Sequence, residues 1–83
     1  MTIRVKVLYF GQTRDISGSG EEEFSLPDRS TVGSLLEVAS SKHGRLAKMK
    51  GATQVALNEE MADGEERLKD GDVVALIPPV AGG

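Results

Sequence analysis

The chain of 83 residues contains no cysteine, no tryptophan, one histidine and three Phe or Tyr residues. Without cysteine it can form no disulfide, no thiolate zinc site and no thiol nucleophile, so any sulfur chemistry would have to take place elsewhere on the chain. The lack of disulfides fits a reducing compartment, and we expect a cytoplasmic protein. The length allows one small domain with one core.

The sequence also has no long apolar run and no excess of positive charge. Ten basic and 13 acidic residues give a net charge of −3, and the basic residues are scattered. A phosphate backbone would need a clustered basic surface, so we expect no nucleic-acid partner. The longest apolar stretches have the length of a strand and contain Arg4, Lys6 or Asp72, which argues against a membrane span and a signal peptide.

The first third of the chain predicts two strands. Alternating apolar residues indicate a first strand with one buried face: Ile3, Val5, Val7 and Tyr9. Residues 12–16 are interpreted as a polar connector, and residues 18–20 as a flexible turn. Phe24 and Leu26 predict a second short strand that Pro27 closes.

The middle of the chain predicts one main helix. Thr31 is a favourable N-cap, and the residues behind it form an apolar stripe at helical spacing: Val32, Leu35, Leu36 and Ala39. We expect this helix over residues 32–43, with Gly44 just after its end. Residues 45–50 could add a short helical turn.

The last third predicts two further strands, over residues 55–57 and 73–77, the second of them central because it is continuously apolar. Residues 58–60 are expected to form a turn, and Gly71 to occupy a positive φ in another. Two strands, a helix and two strands indicate an α+β protein of the β-grasp type, with a mixed sheet packed on one main helix and the last strand parallel to the first. The β-grasp domain is expected to cover residues 1–77.

Residues 78–83 are expected to form an extended tail. Its members are Pro78, Pro79, Val80, Ala81, Gly82 and Gly83. The prolines fix φ and stiffen the chain, and the glycines have no Cβ and give the narrowest profile a polypeptide can present. Such a tail could enter the active site of another protein and expose its carboxylate there. The alternative is a frayed end without a function.

Several ordered pieces of the chain resemble the molybdopterin synthase small subunits, a family of ubiquitin-like sulfur carriers. These pieces are Val7-Leu8-Tyr9-Phe10, Arg14-Asp15-Ile16 with Gly18, Leu26-Pro27, Thr31-Val32 with Leu35-Leu36, Asn58-Glu59-Glu60, Leu68-Lys69-Asp70-Gly71-Asp72 and the stretch from Ile77 to Gly83. The resemblance spans nearly the whole chain. Ala81 departs from the Ser or Thr of many relatives, and Met61 from a common aromatic residue or leucine.

The resemblance implies a reaction cycle on the carboxylate of Gly83. An adenylyltransferase of the ubiquitin-activating type would use ATP to form an acyl adenylate there, and a sulfur donor would then convert it to a thiocarboxylate. The large subunit of molybdopterin synthase would receive the tail in a hetero-oligomer, a heterotetramer, and sulfur would pass to a pterin precursor to form the dithiolene of molybdopterin. The catalytic pocket would belong to the large subunit. The chain itself would bind no cofactor.

A partner-binding surface is expected on the strand face opposite the first core stripe. Leu8 and Phe10 lie on that face and expose apolar surface unless a loop covers them. The resemblance adds Met61 and Ile77 to the contact with the large subunit.

Other candidate sites carry weaker signals. The lone His43 is explained by a favourable interaction with the helix dipole, and residues 21–23, three glutamates, by a solvated edge. No metal site is therefore expected. The glycines at 18 and 20 are not followed by the residues of a phosphate-binding loop.

Three alternative functions remain open. The chain could carry sulfur for cysteine or thiamine synthesis, since a related carrier for cysteine synthesis also ends in Val-Ala-Gly-Gly. It could be a ubiquitin-like modifier joined to lysines through Gly83, or an adaptor whose tail has no role.

Overall fold

The computed structural model describes residues 1–49 and 51–79. Five strands and three helices follow one another along this part of the chain: β1 (Thr2–Tyr9), α1 (Gln12–Ser17), β2 (Glu21–Pro27), α2 (Val32–Lys42), α3 (Leu46–Met49), β3 (Gln54–Leu57), β4 (Glu60–Met61) and β5 (Val73–Ile77). None of the described helices is long and apolar enough to cross a membrane.

The strands form one mixed sheet in the order β2-β1-β5-β3-β4. β1 is antiparallel to β2 and parallel to β5, and β3 is antiparallel to both β5 and β4. The predicted α+β, β-grasp architecture is confirmed, including a central last strand that lies parallel to the first.

The core lies between α2 and one face of the sheet. Alternation along β1 turns Ile3, Val5, Val7 and Tyr9 to this face, as predicted. The other core residues come from β2, β3, β5, α2, α3 and the loop before β5: Phe24, Leu26, Val32, Leu35, Ala39, Leu46, Val55, Leu68, Val74 and Leu76. Burying each large apolar side chain contributes about 1.5–3 kcal/mol to folding.

The start of α2 is fixed by its cap and by a loop that follows β4. The Thr31 hydroxyl accepts a hydrogen bond from the Ser34 amide at 3.1 Å, which confirms the predicted N-cap. The Val32 amide donates to the Glu66 carbonyl, and the Gly33 amide to the Gly64 carbonyl, both at 2.9 Å. A Cβ on Gly33 would lie 3.1 Å from that carbonyl oxygen, so this approach favours glycine.

The prediction of a polar connector over residues 12–16 is wrong, because this segment forms α1. The helix has no side-chain cap. Its N-cap position is Gly11, whose φ of 55° differs from the extended backbone that an N-cap residue usually adopts. Thr13 holds the segment instead: it is fully buried, and its hydroxyl bonds with the amide and carbonyl of Phe10. The Thr13 hydroxyl also lies 3.5 Å from the Leu76 carbonyl of β5, which is a tertiary contact, and so short a helix leaves no periodic signal.

Smaller differences concern element boundaries. β2 begins at Glu21, before the predicted Phe24, because pairing with β1 extends to Glu21 opposite Leu8. The third residue of the expected 58–60 turn, Glu60, begins the two-residue strand β4. α2 ends at Lys42 with His43 as its C-cap, and α3 confirms the short helical turn expected after it.

Candidate functional site

The sheet face opposite α2 carries a row of apolar residues that crosses four strands. In register, Leu8 pairs with Ala75, Ala75 with Ala56, and Ala56 with Met61. Paired residues of adjacent strands point to the same side of a sheet, so these four side chains line up on the face that α2 leaves uncovered. We call this surface the open face.

A second row on the open face contains Phe10 and Ile77. Ile77 pairs with Gln54, and Phe10 follows the pair formed by Tyr9 and Leu76 at the same end of the sheet. Phe10 is 49% exposed, Met61 62% and Ile77 37%, whereas Leu8 is half-buried. The structure therefore places the four residues of the predicted partner surface on one face.

A groove of about 490 Å³ opens on this face. Leu8, Phe10, Val73 and Ala75 form its apolar lining, and the turn residues Asn58 and Glu59 form one rim. Exposed apolar surface bordered by polar residues is typical of protein interaction sites. The groove therefore offers a place for an apolar side chain of a partner.

The Asn58-Glu59 turn is anchored to the beginning of β5. The Asn58 side chain donates to Asp72 Oδ1 at 3.0 Å and accepts from the Val73 amide at 3.0 Å, and the Asn58 amide donates to the Val73 carbonyl at 2.8 Å. The second carboxylate oxygen of Asp72 accepts from the Lys69 amide at 2.7 Å. These bonds fix the rim of the groove relative to its floor.

The base of the predicted tail lies against the loop between β1 and α1. A Cβ on Gly11 would come within 3.0 Å of Pro78 Cγ, so the two residues are in close contact. Pro78 is half-buried there, and Pro79 is exposed. The four remaining residues of the tail, Val80, Ala81, Gly82 and Gly83, lie outside the described residues.

Glu22 and His43 belong to one hydrogen-bonded network, which corrects the prediction made for Glu22. His43 lies at the end of α2 as predicted, where it is the C-cap. Tyr9 donates to Glu22 Oε1 at 2.8 Å, and His43 Nε2 lies 2.9 Å from the same oxygen. Lys42 forms an ion pair with the other carboxylate oxygen. Glu22 is thus not on a solvated edge, and His43 is placed by a carboxylate and by an edge-on contact with the Tyr9 ring.

The network changes the acidity of its members. Burial by itself would raise the pKa of Glu22, but hydrogen bonds from Lys42, His43 and Tyr9 outweigh it and lower that pKa to about 2. Burial, followed by the hydrogen bond to the Glu22 carboxylate, raises the pKa of Tyr9 well above its ordinary value. Sequence reasoning missed this network because its members lie 13 and 21 residues apart.

In the part of the chain that the structure describes, no three His, Cys, Asp or Glu side chains come together as a metal site would require. The described residues thus offer an apolar face, a groove and the base of a tail. Such an arrangement can dock a partner.

The comparisons with known proteins give the family. Residues 7–83 match the ThiS family, and the chain belongs to it. Over 83 residues it is 39% identical to a molybdopterin synthase sulfur carrier subunit of Chlamydomonas reinhardtii, a match that covers 98% of this chain and all of that protein.

Two solved structures are similar at the level of both sequence and fold. A putative molybdopterin converting factor, subunit 1, from Pyrococcus furiosus is 34% identical, with a TM-score of 0.86 over 94% of this chain and 99% of that one. A chain in the complex of subunits 1 and 2 of molybdopterin-converting factor from Helicobacter pylori is 35% identical, with a TM-score of 0.66 over 98% of this chain and 100% of that one.

Proposed function

We propose that this chain is the sulfur carrier subunit of a molybdopterin synthase. The observation that carries the proposal is the similarity to sulfur carrier subunits over the full length of both chains, at 39% identity in the Chlamydomonas protein. The apolar open face and the tail base beside it supply the two parts such a carrier needs, a docking surface and a delivery arm.

The chemistry we propose takes place on the Gly83 carboxylate. A carboxylate is a poor acyl donor, so an adenylyltransferase of the ubiquitin-activating type joins it to the α-phosphate of ATP and releases pyrophosphate. A sulfur nucleophile then attacks the acyl carbon, and AMP leaves with the bonding electrons. The thiocarboxylate that results holds a soft anionic sulfur, a better nucleophile than the oxygen it replaces.

The partner we propose is the synthase large subunit, bound on the open face through Leu8, Phe10, Met61 and Ile77. The Helicobacter complex, which joins subunits 1 and 2 of a molybdopterin-converting factor, supports this choice. With the face bound, the tail from Pro78 onward enters the pocket of the large subunit, where the sulfur passes to the pterin precursor. Two carriers and two large subunits would form a heterotetramer.

Mass spectrometry tests the carrier chemistry directly. The full chain is incubated with its activating enzyme, ATP and sulfide, and the C-terminal peptide is sequenced by fragmentation. We expect the mass change of one oxygen-to-sulfur exchange, located on Gly83. Sulfur on another residue, or none, would contradict the proposed cycle, and a ladder of lysine conjugates in lysate would favour a protein modifier instead.

A Gly82→Val variant tests whether delivery needs a narrow tail. We expect wild-type stability within about 0.5 kcal/mol, because the core formed by the described residues ends with Leu76. We also expect loss of sulfur transfer in a single turnover with a semisynthetic thiocarboxylate. The branched side chain restricts φ and ψ and widens the arm, so reacting atoms fail to approach to about 3–3.5 Å. Gly44→Val is the control, since Gly44 is exposed and has space around it. Wild-type transfer by Gly82→Val would show that the diglycine is needed for activation of the carboxylate and not for delivery of the sulfur.

A further inference from the structure

Glu59 occupies a backbone conformation that disfavours a residue with a side chain. The Asn58-Glu59 turn joins β3 to β4 directly after the pair formed by Leu57 and Glu60, and φ is 50° at Asn58 and 73° at Glu59. Two-residue hairpin turns with positive φ at both positions favour asparagine followed by glycine. Asn58 fits this preference and Glu59 does not, so the glutamate is retained at a cost in backbone strain.

No contact within the described residues accounts for this glutamate. Its carboxylate forms no hydrogen bond and no ion pair with residues 1–49 or 51–79. Two other acidic groups of this surface do have partners. Asp72 accepts from Asn58 and Lys69, and Glu21, which pairs with Leu8 across the sheet, lies 3.4 Å from the Lys6 ammonium.

The position of Glu59 gives its carboxylate a place on the docking surface. The residue lines the rim of the 490 Å³ groove, whose floor is formed by Leu8, Phe10, Val73 and Ala75. The bonds from Asn58 to Asp72 and Val73 hold the turn against the start of β5. An unpaired negative charge therefore stands at a fixed place beside an apolar groove.

We propose that Glu59 is a specificity-determining residue of the open face, and that its carboxylate pairs with a lysine or arginine of the large subunit next to an apolar side chain that fills the groove. This inference rests on the proposed function and adds the charge of the partner to it. A cation at the edge of the interface complements the Glu59 carboxylate that lines the groove. A metal ion is a poor alternative, because no three His, Cys, Asp or Glu side chains come together around Glu59 among the described residues.

The pairing is expected to act mainly on recognition. A charge pair at the rim of an interface is partly solvated, so it contributes little to affinity by itself but steers association and rejects partners of the wrong charge. Its effect must weaken with salt, since the Debye length shortens from about 10 Å at 0.1 M to about 3 Å at 1 M.

The test measures association of the full chain with the synthase large subunit by surface plasmon resonance at low and high salt. Glu59→Gln removes the charge and keeps the strain, and we expect Kd to rise about three- to fivefold at low salt, chiefly through slower association. Glu59→Lys reverses the charge and is expected to weaken binding further. Both differences should shrink at high salt.

Two further variants separate charge from structure. Glu60→Gln is the matched control: Glu60 is equally an exposed glutamate of this hairpin, but it pairs with Leu57 and so points to the opposite side of the sheet from Met61. Its Kd should stay within about twofold of wild type. Glu59→Gly relieves the strain, so it should unfold at a higher temperature than wild type and still bind as weakly as Glu59→Gln.

The outcomes distinguish this inference from the function on which it rests. Wild-type affinity of a folded Glu59→Lys chain, or equal losses in Glu59→Gln and Glu60→Gln, would overturn the role of Glu59 and leave the carrier function standing. A wild-type chain that does not bind the large subunit would overturn both. Weakening in the Glu59 variants alone, relieved by salt, supports the pairing.

Discussion

At the scale of residues, Glu22 shows how one side chain connects elements that lie far apart in sequence. Its carboxylate receives hydrogen bonds from Tyr9 on β1 and His43 at the end of α2, and an ion pair from Lys42. Hydrogen bonds to a charged, largely buried group are stronger than those between neutral groups. The network therefore ties the end of α2 to the edge of the sheet.

Replacing Glu22 by glutamine is expected to lower the free energy of unfolding by about 1–2 kcal/mol at neutral pH, because the charged acceptor of three donors is lost. The pKa of Glu22 is lowered from 4.5 to about 2 in the folded chain, so its contribution is full above the unfolded value and is lost as the pH falls through the folded one. Denaturant unfolding of both chains from pH 6 to pH 2 should show their difference shrinking below about pH 4.5.

Glu23→Gln is the control for this measurement, since Glu23 is the exposed neighbour on the same strand. Its effect should stay within about 0.5 kcal/mol. A difference between wild type and Glu22→Gln that did not change with pH would mean that the carboxylate is not stabilised by these donors.

At the scale of elements, α2 is held at its first turn by contacts of two kinds. The Thr31 side chain, directly before the helix, is a local cap. The carbonyls of Glu66 and Gly64 come from a distant loop and accept hydrogen bonds from backbone amides that a helix leaves free at its start. Because both kinds of contact act on the same turn, the helix start joins the loop after β4 to the core.

Substituting Thr31 by alanine is expected to lower the free energy of unfolding by about 1 kcal/mol, because the Ser34 amide loses its acceptor. Thr31→Ser keeps the hydroxyl and should stay close to wild type. Chemical denaturation of the three chains checks both. If alanine and serine destabilised the fold equally, the cap would not be the source of the effect.

At the scale of the whole molecule, the two faces of the sheet have different tasks. One is covered by α2 and forms the core, and the other presents exposed apolar side chains beside the base of the tail. Phe10→Glu is expected to leave stability nearly unchanged, because Phe10 is 49% exposed, and to weaken binding to the large subunit by about 2–5 kcal/mol.

Val38→Glu supplies the control for Phe10→Glu. Val38 is a similarly exposed apolar residue, 42% accessible, but it lies on α2 and not on the open face. Calorimetric titration of the large subunit should give wild-type affinity for this variant. Equal affinity for both variants would show that the open face is not the docking surface.

The sequence by itself determined the elements whose patterns are local. The period-two alternation of β1, the helical stripe behind Thr31 and the apolar run of β5 each reflect burial of one face or of a whole strand, and they led to the β-grasp architecture. The open-face position of Leu8 and Phe10 followed from the same alternation, and that of Met61 and Ile77 from a family resemblance.

Only the tertiary structure decided the features that depend on residues distant in sequence. Thr13 of α1 is fully buried, with its hydroxyl 3.5 Å from the Leu76 carbonyl of β5. Glu22 is withdrawn from solvent by donors 13 and 21 residues away, and Met61 joins Leu8 in one row through the pairing of four strands. Such contacts leave no periodic pattern in the chain, because they arise from the register of the sheet and not from the spacing of residues along a single element.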